Sequence, residues 1–162
     1  MNETAARTPQ IGDKAPEFSL QSTSGERVTL SAFRGQKNVL IAFFPLAFTS
    51  TCTAELCDFS TDFDQFTGKG VEVLPISVDA SASLKAYKKA YHMKVDLLSD
   101  FKRDASRAYG VLGQETFYAR RSYFLVDQSG TVRWTHVEDK NGTKRENGEL
   151  LAEIGKLAEL GG

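Results

Sequence analysis

Two runs of almost unbroken apolar residues, 38–44 and 71–78, limit the possible folds of this chain more than any other feature. Strands covered on both faces lose the in-and-out alternation of half-buried ones, so both runs belong at the centre of a layered sheet. Between them Leu56, Phe59, Phe63 and Phe66 recur at steps of three and four, which predicts an amphipathic helix over residues 49–66.

The flanking segments extend this unit. Residues 18–20 and 27–30 surround the turn Ser22-Thr23-Ser24-Gly25 and predict an N-terminal hairpin along one edge of the domain. Residues 81–91 predict a helix opening at a Ser81 cap and leading to a short strand at 95–98. Residues 104–109 predict a short helix closed by Gly110. Residues 121–127 and 131–137, joined by Gln128-Ser129-Gly130, predict an antiparallel hairpin. Residues 149–160 predict a terminal helix with Leu150, Leu151, Ile154, Leu157 and Ala158 on one face. The order implies an α/β protein with a central mixed sheet, helices on both faces and an N-terminal β-hairpin. A thioredoxin-like core fits, and periodicity leaves a flavodoxin-like order open. A length of 162 residues without repeats suits a single domain over 1–162, with 1–10 flexible and a linker-like stretch at 139–148 that separates no second domain.

Charge narrows the function. Twenty Lys and Arg against 21 Asp and Glu leave a net charge of -1, with no basic run to neutralise phosphates, so nucleic acid is not an expected partner. The longest apolar run, 39–48, is interrupted by Pro45 and is about half a membrane span. The first residues lack a secretory apolar core, so a reducing, cytoplasmic location is expected. The sequons at Asn2 and Asn141 then carry no weight.

The chemistry must come from the two cysteines, Cys52 and Cys57, which are too few for a disulfide scaffold. Cys52 follows a strand and the cluster Thr49-Ser50-Thr51, which can cap a helix, so it falls in the first helical turn. Free N–H groups and the helix dipole stabilise a thiolate there. The bland alternative is a pair of small buried hydrophobes. A zinc site would need His92 and His136 as well, and neither the C-x4-C spacing nor the histidines fit one, so no metal or cofactor is expected. Residues five apart in an ideal helix have Cα atoms roughly 8 to 9 Å apart. A disulfide needs less than about 7 Å, so the pair cannot bond within regular helix.

The stretch Pro45-x-x-x-Thr49-x-x-Cys52 resembles the active-site motif of the peroxiredoxins, thiol peroxidases of thioredoxin-like fold. Gly12-Asp13-Lys14-Ala15-Pro16-Glu17-Phe18, Val78-Asp79 and Arg121-Ser122-Tyr123-Phe124-Leu125-Val126-Asp127 follow in the family's order, and the likeness covers about residues 10 to 160. The sequence is intermediate between two subgroups. Pro45 to Thr49 is similar to the alkyl hydroperoxide reductase E type, and Cys57 to the resolving cysteine of the bacterioferritin-comigratory, or Q, type.

The resemblance implies reduction of hydrogen peroxide and organic hydroperoxides through a sulfenic acid at Cys52. Pro45 would shield the thiol, Thr49 and Arg121 would hydrogen-bond the peroxide, and Glu55 would orient the arginine. It further implies resolution by Cys57 as an intramolecular disulfide and recycling by a thioredoxin-like or other dithiol reductant, in a monomer or homodimer. Arg120 competes with Arg121, but strand alternation sends it to the opposite face. Phe43 reads as core, while Phe44, Phe48 and Phe117 suit either core or pocket. Alternative functions on the same fold are a peroxide-responsive redox sensor and a protein thiol-disulfide oxidoreductase.

Overall fold

The computed structural model describes residues 7–159. The expected flexible segment falls largely before them, at residues 1–6, and the Ala158 side chain and Leu160 of the terminal helix also lie outside the described residues. Seven strands form one sheet in the order β2-β1-β5-β4-β3-β6-β7. The two apolar runs are its parallel centre, β3 (Asn38–Phe43) and β4 (Val71–Ser77), with Asn38 level with Val71 and Phe43 with Ile76. On one side β5 (Leu98–Ser99) runs parallel to β4. On the other, β6 (Ser122–Val126) and β7 (Val132–Val137) run antiparallel. This mixed order is thioredoxin-like and excludes the flavodoxin-like alternative, whose core strands are all parallel. The N-terminal hairpin, β1 (Ser19–Ser22) and β2 (Arg27–Thr29), covers the edge by adding to the same sheet, β1 pairing antiparallel with β5. Pro75 has no N–H to donate, and the ladder to β5 starts just past it, at Ile76.

Alternation along β3 sorts the core into two layers. Leu40, Ala42 and Phe44 face one layer with α1 (Ser50–Thr61), α2 (Phe63–Gly68), α3 (Ser81–Ala90) and α5 (Asn147–Glu159). Val39, Ile41 and Phe43 face the other, with the 3-10 turn Leu30–Phe33 and α4 (Asp104–Ala108). Phe43 and Phe44 are both fully buried.

The structure differs from the sequence pattern in three places, one of them the short strand expected at 95–98, which is confined to Leu98–Ser99. The predicted helix 49–66 is broken at Asp62, whose backbone (φ -101°, ψ 19°) leaves helical geometry between α1 and α2. The spacing of Leu56, Phe59 and Phe66 survives because both pieces lie on the same layer, with the Phe59 and Phe66 rings edge to face at 5.8 Å. What pulls Asp62 out is tertiary: its carboxylate accepts a 2.8 Å hydrogen bond from Asn147 at the start of α5. Ser81 is the first residue of α3 and caps nothing; the cap position is Ala80. Gly110 closes α4 with φ +66°, as its residue type predicts.

The β6–β7 turn is fastened by Asp127. Its buried carboxylate accepts from the N–H groups of Ser129 (2.9 Å) and Thr131 (3.0 Å) and from Arg133 Nε (2.6 Å). Burial alone would raise its pKa, but the hydrogen bonds from Ser129, Arg133 and Thr131 win and bring it down to about 2. A carboxyl depressed on folding contributes stability above its unfolded pKa, and that contribution is lost as pH falls toward the folded value. Asp127→Asn should therefore lower the urea midpoint at neutral pH. It should also flatten the fall of that midpoint from about pH 4 to about pH 2, compared with wild type.

Candidate active site

The site forms where the chain leaves β3. Buried Pro45 ends the strand, and the loop behind it is pinned by Asp79, whose carboxylate accepts from the Ala47 N–H (2.8 Å) and the Ser77 hydroxyl (2.7 Å). Phe48 takes a left-handed backbone (φ 65°) and turns the chain into Thr49, which is extended and precedes α1. The Thr49 side chain does not cap the helix, contrary to its residue type. Its hydroxyl donates to Leu46 O at 2.9 Å, so its oxygen is left as an acceptor.

Cys52 lies in the first turn of α1 with 1% of its surface exposed. Arg121, immediately before β6, is equally buried and reaches it across the sheet: Nη2 donates to Cys52 Sγ at 2.9 Å. The rest of the guanidinium is held from two sides. Nη1 donates to Glu55 Oε1 at 2.6 Å, and Nε and Nη2 donate to the main-chain oxygen of Asn141 at 3.2 and 3.1 Å. A guanidinium has five N–H groups, and these contacts use four, leaving one on Nη1 without an acceptor among the described residues. Tyr123, two residues along the same face, donates to the other Glu55 oxygen and accepts from the Arg145 N–H. Arg120 points away and donates to Glu138 O.

Electrostatics follow from this packing. Burial pulls the Arg121 pKa down, but Glu55 and Cys52 hold it above its ordinary value, so the guanidinium stays charged. Burial pushes the Glu55 carboxyl up against the opposing pull of Arg121 and Tyr123. Cys57, also in α1 and half-buried, is pushed up by burial and by Asp58. Both cysteines are free thiols. A cavity of about 230 Å³ opens over Cys52, lined by Pro45, Thr49, Tyr118 and Arg121. Phe48 and Phe117, adjacent in sequence to Thr49 and Tyr118, are more than half exposed and both left-handed, so neither belongs to the core. His92 is exposed. His136 is half-buried, stacked on Trp134 and 3.3 Å from Glu138. Among the described residues no three His, Cys, Asp or Glu side chains converge as metal ligands would.

The sequence pattern thus brought Pro45, Thr49, Cys52, Glu55 and Arg121 together, and left Cys57 further along the same helix. It missed Tyr123, Asn141 and Asp79 as supports. Tyr123 shares a strand face with Arg121 and was open to detection by alternation. Asn141 lies in the linker-like stretch, where no periodicity marks it.

A buried thiol at a helix start, held by a buried arginine on a thioredoxin-like sheet, defines a cysteine redox enzyme. The sequence matches the AhpC/TSA family over residues 11–135. Alkyl hydroperoxide reductase E of Mycobacterium tuberculosis is 37% identical over 130 residues, covering 79% of this chain and 85% of that protein. Peroxiredoxin Bcp of Escherichia coli is 34% identical over 148 residues, covering 88% and 93%. The reduced 2-Cys peroxiredoxin of Plasmodium vivax matches with a TM-score of 0.86 at 31% identity, over 92% of this chain and 82% of that one. The chain therefore belongs to the AhpC/TSA peroxiredoxins and is a thiol-dependent peroxidase. It has relatives of both subgroups at similar identity, in keeping with its intermediate motif. Among the described residues no helix is long and apolar enough to cross a membrane.

Removing Glu55 takes away the carboxylate paired with the buried Arg121. Glu55→Ala should destabilise the fold by about 3 to 5 kcal/mol, read from urea unfolding. Glu55→Gln, which keeps an acceptor oxygen, should lose measurably less.

Proposed function

We propose that Cys52 is the peroxidatic nucleophile and that Arg121 and Thr49 bind and polarise the peroxide. The observation that carries this is the 2.9 Å contact from Arg121 Nη2 to Cys52 Sγ under a cavity that Arg121 itself helps to line, with one Nη1 N–H left without an acceptor among the described residues. The Thr49 oxygen accepts a hydrogen bond from the hydroxyl of the peroxide, because its own proton is committed to Leu46 O. The Cys52 thiolate attacks that oxygen, an S–O bond forms as the O–O bond breaks, and the departing oxygen leaves as hydroxide or alkoxide. The free Arg121 N–H stabilises that developing charge, a donor already in place before the reaction. The leaving group then takes a proton and Cys52 is a sulfenic acid. Pro45 shields the thiol from bulk water. Hydrogen peroxide and organic hydroperoxides share the O–O group this geometry addresses.

Cys57 is assigned to resolution: its thiol displaces water from the sulfenic acid and forms the Cys52–Cys57 disulfide, which an external dithiol such as a thioredoxin reduces. Both residues lie within α1, where the ideal separation exceeds bonding range, so at least one turn must unwind first. The same motion would lift Cys57 out of the burial that raises its pKa.

Cys52→Ser should abolish peroxide consumption in a dithiol-coupled assay, because a serine hydroxyl does not ionise near neutrality. Thr49→Val and Arg121→Ala should each lower the second-order rate with peroxide by roughly 10- to 1,000-fold. Rates within tenfold of wild type for the serine variant would remove Cys52 from the mechanism.

Resolution has its own signature. Since burial and Asp58 hold the Cys57 thiol above its ordinary pKa, disulfide formation in single-turnover experiments should speed up as pH rises through the mildly alkaline range. Asp58→Asn should raise the rate at a given pH. Cys57→Ser should keep the first step fast but accumulate sulfenic acid and overoxidise more readily. Normal turnover of that variant with the same reductant, and no Cys52–Cys57 bond in peroxide-treated wild type, would mark Cys57 as a bystander.

A further inference from the structure

The chain contains two Asn-Gly pairs within eight residues, Asn141-Gly142 and Asn147-Gly148, and the fold treats them oppositely. An asparagine followed by glycine is the one most open to attack by its own chain, because the next peptide nitrogen approaches Cγ with no side chain in the way. Asn147 is protected. It is 8% exposed, begins α5, and its Nδ2 donates to Asp58 O and Asp62 Oδ2, both at 2.8 Å. Asn141 is not. It and Gly142 are exposed and form the tip of a turn closed by Thr143 N–H to Lys140 O at 3.2 Å. Among the described residues the Gly142 N–H has no acceptor, and the space where a side chain would stand is open, while its carbonyl oxygen accepts from the Thr51 hydroxyl at 3.4 Å. Yet the main-chain oxygen of this exposed Asn141 holds two N–H groups of the buried Arg121, and its side chain is tied only by a long 3.4 Å hydrogen bond that Oδ1 accepts from the Arg121 main-chain N–H.

We propose that Asn141 is a site of spontaneous succinimide-forming modification, and that the modification switches the Cys52 centre off as the protein ages. The consequence for activity rests on the peroxidase roles assigned above to Cys52 and Arg121; the modification itself does not. The Gly142 nitrogen attacks Asn141 Cγ, a C–N bond forms, and the side-chain amide leaves as ammonia with the proton from Gly142. Water then opens the five-membered imide at either carbonyl, leaving an aspartyl or an isoaspartyl residue at position 141. In the isoaspartyl product the chain runs through the former side chain and is longer by one methylene. The main-chain carbonyl that held Arg121 Nε and Nη2 leaves the peptide bond and itself becomes the free carboxylate, while the former side-chain carbonyl takes its place in the chain. The guanidinium's partner opposite Glu55 changes from a peptide oxygen fixed by the chain into a freely rotating carboxylate, whose negative charge competes with the Cys52 thiolate for the same N–H groups. Displacement of a positioning contact by one bond length slows an oriented reaction steeply.

The test uses the reduced full-length chain, kept under nitrogen with reductant so that the cysteines stay unoxidised, and aged in mildly alkaline buffer. Peptide mass spectrometry and labelling with an isoaspartyl methyltransferase follow the chemistry, and stopped-flow mixing with hydrogen peroxide follows the activity of the same samples. The expected result is a gain of one mass unit confined to the peptide part carrying Asn141, with Asn147 intact. The amplitude of the fast peroxide phase should decay with the same half-time, and the modified fraction should react at least about tenfold more slowly. Gly142→Ala, whose methyl crowds the attack, should slow the modification several-fold and hold its own starting rate over the same incubation. Faster modification of Asn147, or modified protein that reduces peroxide as fast as fresh protein, overturns the proposal. A fresh sample that consumes no peroxide overturns the peroxidase reading instead, and the mass data still decide whether Asn141 reacts.

Discussion

The structure turns on one charge taken out of water. Arg121 is buried to the same degree as the aliphatic core around it, and a lone guanidinium there would cost several kcal/mol. It is tolerated because acceptors from separate parts of the chain converge on it: Cys52 and Glu55 from α1, and Asn141 from the loop before α5. The sheet makes this convergence possible. In the antiparallel β3–β6 pair Phe43 stands level with Ser122, so the segment leaving β3 and the residue entering β6 share one end of the sheet. A cysteine and an arginine 69 positions apart in sequence are thereby neighbours. A sheet with β6 parallel to β3 would put them at opposite ends.

That same charge divides the labour between stability and chemistry. Glu55 and the Asn141 oxygen take three of the guanidinium N–H groups, and the thiol takes one. What remains is a single N–H on Nη1 without an acceptor among the described residues. The Thr49 hydroxyl is fixed in the complementary sense, its proton spent on Leu46 O and its lone pairs free. A spare donor on Arg121 and a spare acceptor on Thr49, two residues lining the cavity over Cys52, match the polarity of an O–O–H group, which has an acceptor end and a donor end.

How much of this could be read in advance depends on whether the cause was local. The central strands were legible because burial on both faces leaves an unbroken apolar run, and Cys52 at a helix start was legible because strand, cap-type residues and helix follow one another directly. The Arg121 and Tyr123 face followed from a period of two. The break at Asp62 was not legible, since Leu56, Phe59 and Phe66 keep helical spacing across it and the cause is a side chain 85 positions away. Nor was the orientation of the Thr49 hydroxyl, which depends on where the Leu46 carbonyl points once Asp79 has pinned the loop. Asn141 was hidden most deeply, because it acts through its main chain, which carries no residue-specific signal.

The interruption between α1 and α2 bears on how far a change at the cysteines can spread. Cooperative helix melts as a unit, and a continuous rod from residue 50 to residue 68 would carry any unwinding at Cys52 into the Phe66 packing and so into the floor of the core. With the hydrogen-bond ladder already interrupted at Asp62, the disturbance has a natural terminus one helix long. Asn147 holds that terminus from both sides, through Asp58 O and the Asp62 carboxylate, and fastens it to α5. The domain can thus rearrange around its sulfur atoms while the layer beneath stays folded, much as a hinged panel moves in a rigid frame.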